Sequence, residues 1–277
     1  MNEPVIRVRG LRKGYGSTVA VDGLDLDVHE GETLAVLGPN GAGKSTTVQI
    51  LSAQLGRDGG EVAVLGTDPA RADRRFRSRL GIVSQTTGDL LELTVGEVVR
   101  HFAAYYPRPR DPERVIAEVG LTEQARWKIR RLSGGQRRRV DVALGVVGNP
   151  ELLFLDEPTT GFDPEARRRF WGLIRSLAAD GTTIVLTTHY LDEAAELADR
   201  IAVIAEGRIR ASGTVAELVD GDEALVAWRD GEATTDRPTT LVAELSEAYR
   251  GEVPGLTVAR PSLEDAYLRL TGREAIA

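Results

Sequence analysis

One short glycine-rich segment contains the residue types that bind phosphate. It follows the pattern G-x-x-x-x-G-K-[ST] and consists of Gly38, Pro39, Asn40, Gly41, Ala42, Gly43, Lys44, Ser45 and Thr46. Glycines let the backbone curl so that several N–H groups point at one anion, and a following helix N-terminus adds partial positive charge. Lys44 can reach the outer phosphates, and Ser45 can offer a hydroxyl to Mg²⁺. This segment, the phosphate loop, predicts a site for a nucleoside triphosphate.

The residues on either side of the phosphate loop support this interpretation. Residues 33–37 form an apolar run typical of a buried strand, and Val48, Ile50 and Leu51 supply the apolar positions of a helix. Lysine occurs in the chain only at Lys13, Lys44 and Lys128. A glycine-rich turn with an incidental lysine is therefore the disfavoured alternative.

Two adjacent carboxylates follow another apolar run. Residues 152–155 read Leu-Leu-Phe-Leu, and Asp156, Glu157 and Pro158 come next. In α/β sheets, ligands bind at the carboxyl ends of the strands. Asp156 is suited to hold Mg²⁺, and Glu157 is suited to orient and deprotonate an attacking water. The alternative is that the acidic pair only caps the next helix, which the nearby phosphate loop disfavours.

Single polar residues end two further predicted strands. His189 follows residues 183–188, and a histidine near a γ-phosphate can donate a hydrogen bond to it and steady the water. Gln85 follows the run at residues 80–83, and its amide oxygen could reach Mg²⁺ or water. A lone histidine is more often structural, and Gln85 in isolation is uninformative. Both assignments therefore depend on the neighbouring motifs.

A second anion-binding pattern lies at Ser133, Gly134, Gly135 and Gln136, just before a predicted helix. A hydroxyl and bare N–H groups at the positive end of a helix can bind an anion. Because the chain already has a phosphate loop, a second phosphate cradle suggests that it serves the nucleotide of another subunit.

The apolar periodicity predicts how these residues are positioned. Residues 5–28 alternate apolar and polar in two bursts, at 5–8 and 24–28, which predicts strands with a turn at 13–16 between them. Buried-strand patterns at 80–83, 152–155, 183–186 and 200–204 alternate with helical patterns, and the last of these strands closes this part of the chain. Strands alternating with helices favour a mostly parallel sheet covered on both faces. The mostly helical stretch between 85 and 150 forms an insert.

Composition limits the possible partners. The chain has 277 residues, 42% of them hydrophobic, and a formal net charge of -7. An acidic balance argues against nucleic acid as a partner, because that affinity comes from lysine and arginine neutralising phosphates. Cysteine is absent, so neither a disulfide framework nor a thiolate metal site is expected. Without a leader pattern or an apolar run of about 20 residues, we expect a soluble chain that meets a membrane only through a partner.

The ordered set of motifs closely resembles the ATP-binding subunit of ABC transporters over residues 5 to about 220. The resemblance rests on Tyr15, the phosphate loop, Gln85, residues 132–136, residues 155–158, residues 161–163 and His189. It implies a P-loop ATPase of α/β class with a mostly parallel core sheet. An N-terminal antiparallel β subdomain, an inserted helical subdomain at about 86–150 and a small C-terminal α/β extension complete the expected fold. The expected domain division is 1–220 and 221–277.

The resemblance also implies roles for individual residues. Tyr15 would stack on the adenine of ATP, and Gln85 would couple the nucleotide to a membrane subunit. Ser133, Gly134, Gly135 and Gln136 would close over the ATP held by the opposing subunit. Asp163 would lie in the loop that crosses the dimer interface. The chain departs from the family at Phe162, where leucine is common, and at residues 86–91, a segment near the expected docking surface for the membrane partner that is less typical of the family.

The C-terminal segment indicates which kind of ABC transporter subunit to expect. Residues 261–272 predict a capped amphipathic helix, with Ser262 and Asp265 at capping-box spacing, Leu263, Ala266, Tyr267 and Leu270 on one face and Gly272 at its end. Composition alone indicates only a docked helix. The segment also resembles the tail of ATP-binding subunits of drug-resistance and other ABC-2 type exporters.

The resulting expectation is an ATPase that binds ATP and Mg²⁺, with Lys44, Gln85, Glu157 and His189 in catalysis and Ser45, Gln85 and Asp156 around the metal. Its partners would be a second copy of itself or a paralogous ATPase and integral membrane permease subunits, on the cytoplasmic face of the membrane. The alternatives are an importer ATPase, a soluble ABC-type ATPase acting on ribosomes or DNA, and a catalytically dead nucleotide-binding regulator. The transported substrate is chosen by a subunit outside this chain.

Overall fold

The computed structural model describes residues 3–83, 91–219, 224–259 and 262–272. The chain divides into two compact units, Met1–Ser212 and Gly213–Ala277. Gln85, which is predicted to reach Mg²⁺ or water, lies outside the described residues.

The strands of the first unit, in chain order, are β1 (Ile6–Tyr15), β2 (Thr18–Val28), β3 (Thr33–Leu37), β4 (Gly59–Val64), β5 (Leu80–Val83), β6 (Leu152–Asp156), β7 (Thr183–Thr187), β8 (Arg200–Ala205) and β9 (Arg208–Gly213). Its helices are α1 (Lys44–Leu51), α2 (Arg74–Arg77), α3 (Val95–Ala103), α4 (Pro112–Glu118), α5 (Gly134–Val147), α6 (Pro164–Ala179) and α7 (Leu191–Leu197). Single 3₁₀ turns lie at Pro69–Arg71 and Ile129–Arg131.

The core sheet has the strand order β5-β6-β7-β3-β8-β9, and its β5/β6, β6/β7, β7/β3 and β3/β8 pairs are parallel. All residues of β3, β6 and β7 are buried, as expected for parallel strands covered on both faces. The carboxyl ends of these strands therefore meet at one edge, where the phosphate loop and the residues after β6 and β7 lie. The predicted end of this sheet at residue 204 was wrong, because β9 extends it beyond β8.

A separate antiparallel sheet has the order β2-β1-β4. Its strands are longer than the two predicted bursts, and the turn between them lies at residues 16–17, later than the predicted 13–16. Lys13, Gly14 and Tyr15 belong to β1, where Tyr15 pairs with Thr18. Register shifts in β1, between Val8 and Leu11 and beyond, interrupt the alternation of apolar residues. Such irregularities explain why periodicity ended the strand early.

Helices α3, α4 and α5 pack on one another and form the predicted helical insert. Helix α5 also lies directly against β5 at two glycines. A Cβ on Gly81 would be 2.3 Å from the Gly145 carbonyl oxygen, and a Cβ on Gly145 would be 2.5 Å from Val83 Cγ2. Only glycine allows this close approach, so the sequence of α5 positions its N-terminus relative to the core sheet.

The second unit contains β10 (Ala224–Trp228), β11 (Gly231–Thr235) and β12 (Thr257–Ala259), with α8 (Val215–Val219), α9 (Pro238–Ala248) and α10 (Leu263–Thr271). Its strands form an antiparallel sheet in the order β11-β10-β12. The capping box predicted for α10 is confirmed, because Ser262 accepts from the Asp265 N–H and Asp265 accepts from the Ser262 N–H. Gly272 ends this helix in the left-handed conformation. Among the described residues, no helix has the length and apolar character needed to span a membrane.

Candidate nucleotide-binding site

The phosphate loop joins β3 to α1 with a backbone that requires glycine. Gly43 has φ +102°, and a Cβ there would lie 2.3 Å from the Ala20 carbonyl oxygen. A Cβ on Gly38 would lie 2.2 Å from the Ile204 carbonyl oxygen. The positive φ of Gly43 and the short contacts at both positions exclude larger residues.

Lys44 begins α1 and is buried at the loop. Its ammonium donates to the carbonyl oxygens of Gly38 at 2.6 Å and Pro39 at 3.1 Å, which holds the side chain across the loop. Burial lowers the pKa of Lys44, whereas the nearby carboxylates of Glu157 and Asp156 oppose this shift. The site therefore brings a desolvated cation and two carboxylates together around the loop.

Asp156, at the end of β6, accepts hydrogen bonds from two hydroxyl groups. Ser45 Oγ donates to Asp156 Oδ1 at 3.0 Å, and Thr187 Oγ1 donates to the same oxygen at 2.5 Å. Oxygen ligands of this kind fit Mg²⁺, which typically takes one or two carboxylates together with substrate phosphates and waters. Across the described ranges, no cluster of three or more His, Cys, Asp and Glu side chains could hold a metal, and such a cluster is not needed for Mg²⁺ bound in this way.

Glu157 has a left-handed backbone, with φ +47°. Its N–H donates to Thr187, with the carbonyl oxygen and Oγ1 both at 3.1 Å. The Glu157 carboxylate oxygen Oε1 lies 3.5 Å from His189 Nδ1, and the His189 side chain is 43% exposed. The structure therefore places Glu157 and His189, two of the predicted catalytic residues, next to each other at the edge that carries the phosphate loop.

Sequence analysis missed Thr187, which contacts both Asp156 and the Glu157 backbone. A hydroxyl residue two positions before His189, at the last position of a buried strand, was the available signal. It also missed Arg138, a buried side chain that donates to backbone carbonyls at residues 156–158. Arg138 lies among three consecutive arginines and was therefore indistinguishable from a surface patch.

Residues 133–136 form the N-terminus of α5, away from the phosphate loop in sequence and on the helical insert. Ser133 Oγ accepts from the Gln136 N–H at 3.2 Å, and Gln136 Oε1 accepts from the Ser133 N–H at 2.9 Å, so the two residues form a capping box. Gly134 and Gly135 are the first two residues of the helix. A Cβ on Gly135 would lie 3.2 Å from the Gly161 carbonyl oxygen, which shows that this helix end adjoins the loop before α6.

Two more predicted residues lie on the surface. Tyr15 is 49% exposed at the end of β1, with the Lys13 ammonium 5.7 Å from its ring centroid. Asp163 is the N-cap of α6 and accepts from the Ala166 N–H at 2.8 Å. This backbone hydrogen bond lowers the pKa of Asp163.

A pH-dependent stability is expected from Asp141, which lies on α5 and 3.9 Å from Arg138. Burial raises the pKa of Asp141 from 3.8 to about 6, although Arg138 opposes the shift. Because the folded pKa lies above the unfolded one, this group's contribution to stability is present below pH 3.8 and is lost as the pH rises through 6. Relative to Asp141→Asn, the free energy of unfolding should fall by about 2 kcal/mol between about pH 4.5 and 7.5.

Urea denaturation of both proteins at the two pH values measures this change directly. Asparagine keeps the size of the side chain but cannot titrate, so the difference between the two proteins isolates the carboxyl group. Equal pH dependence of the two proteins would contradict a raised pKa at Asp141.

The sheet order, the phosphate loop and the carboxylates at the end of β6 define a P-loop nucleoside triphosphatase. A family model described as ABC transporter matches residues 21–160. The daunorubicin resistance ATP-binding protein DrrA3 of Streptomyces coeruleorubidus is 39% identical to this chain, covering 98% of this chain and 97% of the relative. The Nod factor export ATP-binding protein I of Ralstonia nicotianae is 38% identical, covering 98% and 95%. The chain therefore belongs to the ABC transporter family and is an ATPase of that family.

Solved structures agree with this fold. An ATP-binding subunit of an ABC transporter aligns with a TM-score of 0.74 at 24% identity, covering 96% of this chain and 98% of that chain. An ATP-binding cassette solved as a dimer in a post-hydrolysis state, bound to ADP and Pi, aligns with a TM-score of 0.68 at 25% identity, covering 76% and 98%. The predicted fold class is confirmed.

Proposed function

We propose that this chain is the ATP-hydrolysing subunit of an ABC exporter, which couples ATP binding and hydrolysis to export through separate membrane subunits. The convergence of Lys44, Asp156, Glu157 and His189 at one edge of the core sheet supports hydrolysis. The names of relatives that match nearly the whole chain, a daunorubicin resistance protein and a Nod factor export protein, favour export over import.

The phosphate loop would bind the β- and γ-phosphates of ATP through its N–H groups and Lys44. Ser45 and Asp156, with Gln85, would hold Mg²⁺, which when bound neutralises charge on the phosphate oxygens. Tyr15 would stack on the adenine. This exposed ring lies beside Lys13, and stacking on a base contributes about 1–3 kcal/mol in comparable sites.

Glu157 would accept the proton of the attacking water, because its carboxylate is held by a fixed backbone beside the phosphate loop. His189, 3.5 Å from Glu157, would donate to the γ-phosphate and keep the water in line. Positioning and stabilisation of charge account for most of the acceleration in reactions of this type.

Two subunits would form a nucleotide sandwich. Ser133, Gly134, Gly135 and Gln136 would close over the ATP bound by the partner, and Asp163 would lie at the interface. The dimeric state of a structural neighbour supports this arrangement. Permease subunits would then hold the pair at the cytoplasmic face of the membrane and select the substrate.

Transport in membrane vesicles tests the proposed direction. The chain would be purified in mild detergent with the membrane subunits that accompany it and incorporated into vesicles with the ATPase on the outside. We expect ATP-dependent accumulation of an amphipathic drug such as daunorubicin inside these vesicles, and its loss with Glu157→Gln. ATP-driven movement out of the vesicles would indicate import, whereas hydrolysis without any associated membrane protein would favour a soluble role.

A further inference from the structure

Arg138 makes an unusual set of contacts for a side chain outside the described motifs. It lies on α5 and is only 9% exposed. Its Nη2 donates to the carbonyl oxygens of Asp156 at 2.6 Å and Glu157 at 3.1 Å, and its Nε donates to the Pro158 carbonyl oxygen at 3.2 Å. One planar guanidinium therefore holds three consecutive peptide units, with donors on two nitrogens that its rigid fork keeps at fixed positions.

The middle residue of this three-residue segment, Glu157, has a strained backbone. Glu157 is not glycine, yet its φ of +47° lies in the left-handed region, which is strained for a residue with a Cβ and persists only where the surroundings hold it. Thr187 accepts from its N–H on one side, and Arg138 donates to its carbonyl oxygen on the other. The two contacts together fix both peptide planes of Glu157, and hence the direction in which its carboxylate leaves the backbone.

Stabilisation of the fold alone does not explain well why a charged side chain is buried at this position. Burial lowers the pKa of Arg138, because the charged guanidinium is desolvated. Its acidic neighbour Asp141 is 3.9 Å away, beyond hydrogen-bond distance. A buried charge of this kind generally stabilises a fold no better than an apolar side chain of similar volume. The hydrogen bonds to residues 156–158 are part of what compensates for this desolvation, and they act on the site.

The position of Arg138 on α5 connects it to a second motif. Ser133 caps the same helix five residues earlier, which corresponds to about 7.5 Å along the axis. The first turn of α5 also contacts the loop after Glu157, at Gly135 and Gly161. A displacement of the N-terminus of α5 therefore changes the carbonyl contacts at residues 156–158 as well.

We propose that Arg138 is a positioning residue, which orients the Glu157 carboxylate by holding the backbone of residues 156–158 and links that orientation to the position of α5. This inference rests on the proposed role of Glu157 in hydrolysis. It predicts that Arg138 acts on turnover only through Glu157, and not on nucleotide binding.

A double-mutant cycle between Arg138→Met and Glu157→Gln tests the proposal. Methionine is apolar and unbranched, and it removes every donor. In the otherwise wild-type chain we expect kcat to fall by about 100-fold, as for misplacement of a catalytic group by about 1 Å, with the affinity for ATP changed less than about threefold. In the Glu157→Gln background, single-turnover hydrolysis should fall by less than about threefold on adding Arg138→Met, because the carboxylate that Arg138 orients is already lost.

Two further variants separate positioning from packing. Arg139→Met is a matched control, since Arg139 is the next residue of α5 but donates to the Gly120 carbonyl oxygen, and kcat should stay within about threefold of wild type. Arg138→Lys keeps the charge but has its donors on a single nitrogen and lacks the planar fork, so we expect a loss of kcat that is smaller than with methionine. If Arg138→Met does not fold, the cycle is measured with Arg138→Lys.

The outcomes separate this proposal from the proposed function. Normal turnover in Glu157→Gln would refute the role of Glu157 and this proposal with it. A large loss in Glu157→Gln together with near-normal turnover in the Arg138 variant, or multiplicative losses in the double variant, would overturn the assignment of Arg138 alone. A comparable loss of kcat in Arg139→Met would also overturn it, because the effect would then come from packing of α5.

Discussion

Replacing Glu157 with glutamine is expected to abolish most ATP turnover and leave ATP binding intact. Glutamine keeps the size of the side chain and its place beside His189, but the amide cannot accept a proton from water. General-base contributions are about 10²–10⁴-fold, so kcat should fall by that factor. Steady-state release of phosphate measures turnover, and fluorescence titration with a labelled nucleotide measures affinity. ATP should also hold the variant in the sandwich dimer for longer, which size-exclusion chromatography detects.

Glu165→Gln provides the matched control for this substitution. Glu165 lies in the first turn of α6, where it pairs with Arg169, and its side chain is 76% exposed. Removing a carboxylate there should leave kcat unchanged. If Glu157→Gln keeps more than a tenth of the parent rate, Glu157 does not have the role of general base.

Mixing two inactive variants is expected to restore ATPase activity if each site is shared between subunits. Lys44→Ala removes the cation that the phosphate loop holds, so this protein should bind ATP weakly. Ser133→Arg places a bulky cation at the N-terminus of α5, where the partner's nucleotide would lie. A heterodimer of the two keeps one composite site in which Lys44 and Ser133 are both intact. Random pairing makes half of the dimers mixed, so recovery should reach about a quarter of the wild-type rate.

Each variant measured alone is the baseline for this experiment. Thermal unfolding of Ser133→Arg is needed as well, since this change also removes the capping box of α5, at a cost of about 0.5–2 kcal/mol. Heterodimers verified by two different affinity tags that show no recovery would argue against a site shared between subunits.

The residues of the phosphate loop, the helix caps and the buried strands could be predicted because their signals are local. Gly43 needs a positive φ whatever surrounds it, and Ser262 and Asp265 cap α10 through neighbouring N–H groups. Helix α6 likewise begins at Pro164, directly after its N-cap Asp163. The class of ligand could be predicted for the same reason. The residue types of the phosphate loop and of the acidic pair at residues 156–157 already limit which ligands can bind.

Only the tertiary structure decided how these local pieces share a site. Ser45 and Asp156 are 111 positions apart, and the hydroxyl of Thr187 reaches Asp156 because β6 and β7 pair in one register. Periodicity reveals which face of a strand is buried but not which strand becomes its neighbour, so it could not show β9 beyond β8. The same limit hid Arg138, whose sequence context is a run of arginines and whose partners are backbone atoms brought to it by packing of α5 against the core sheet.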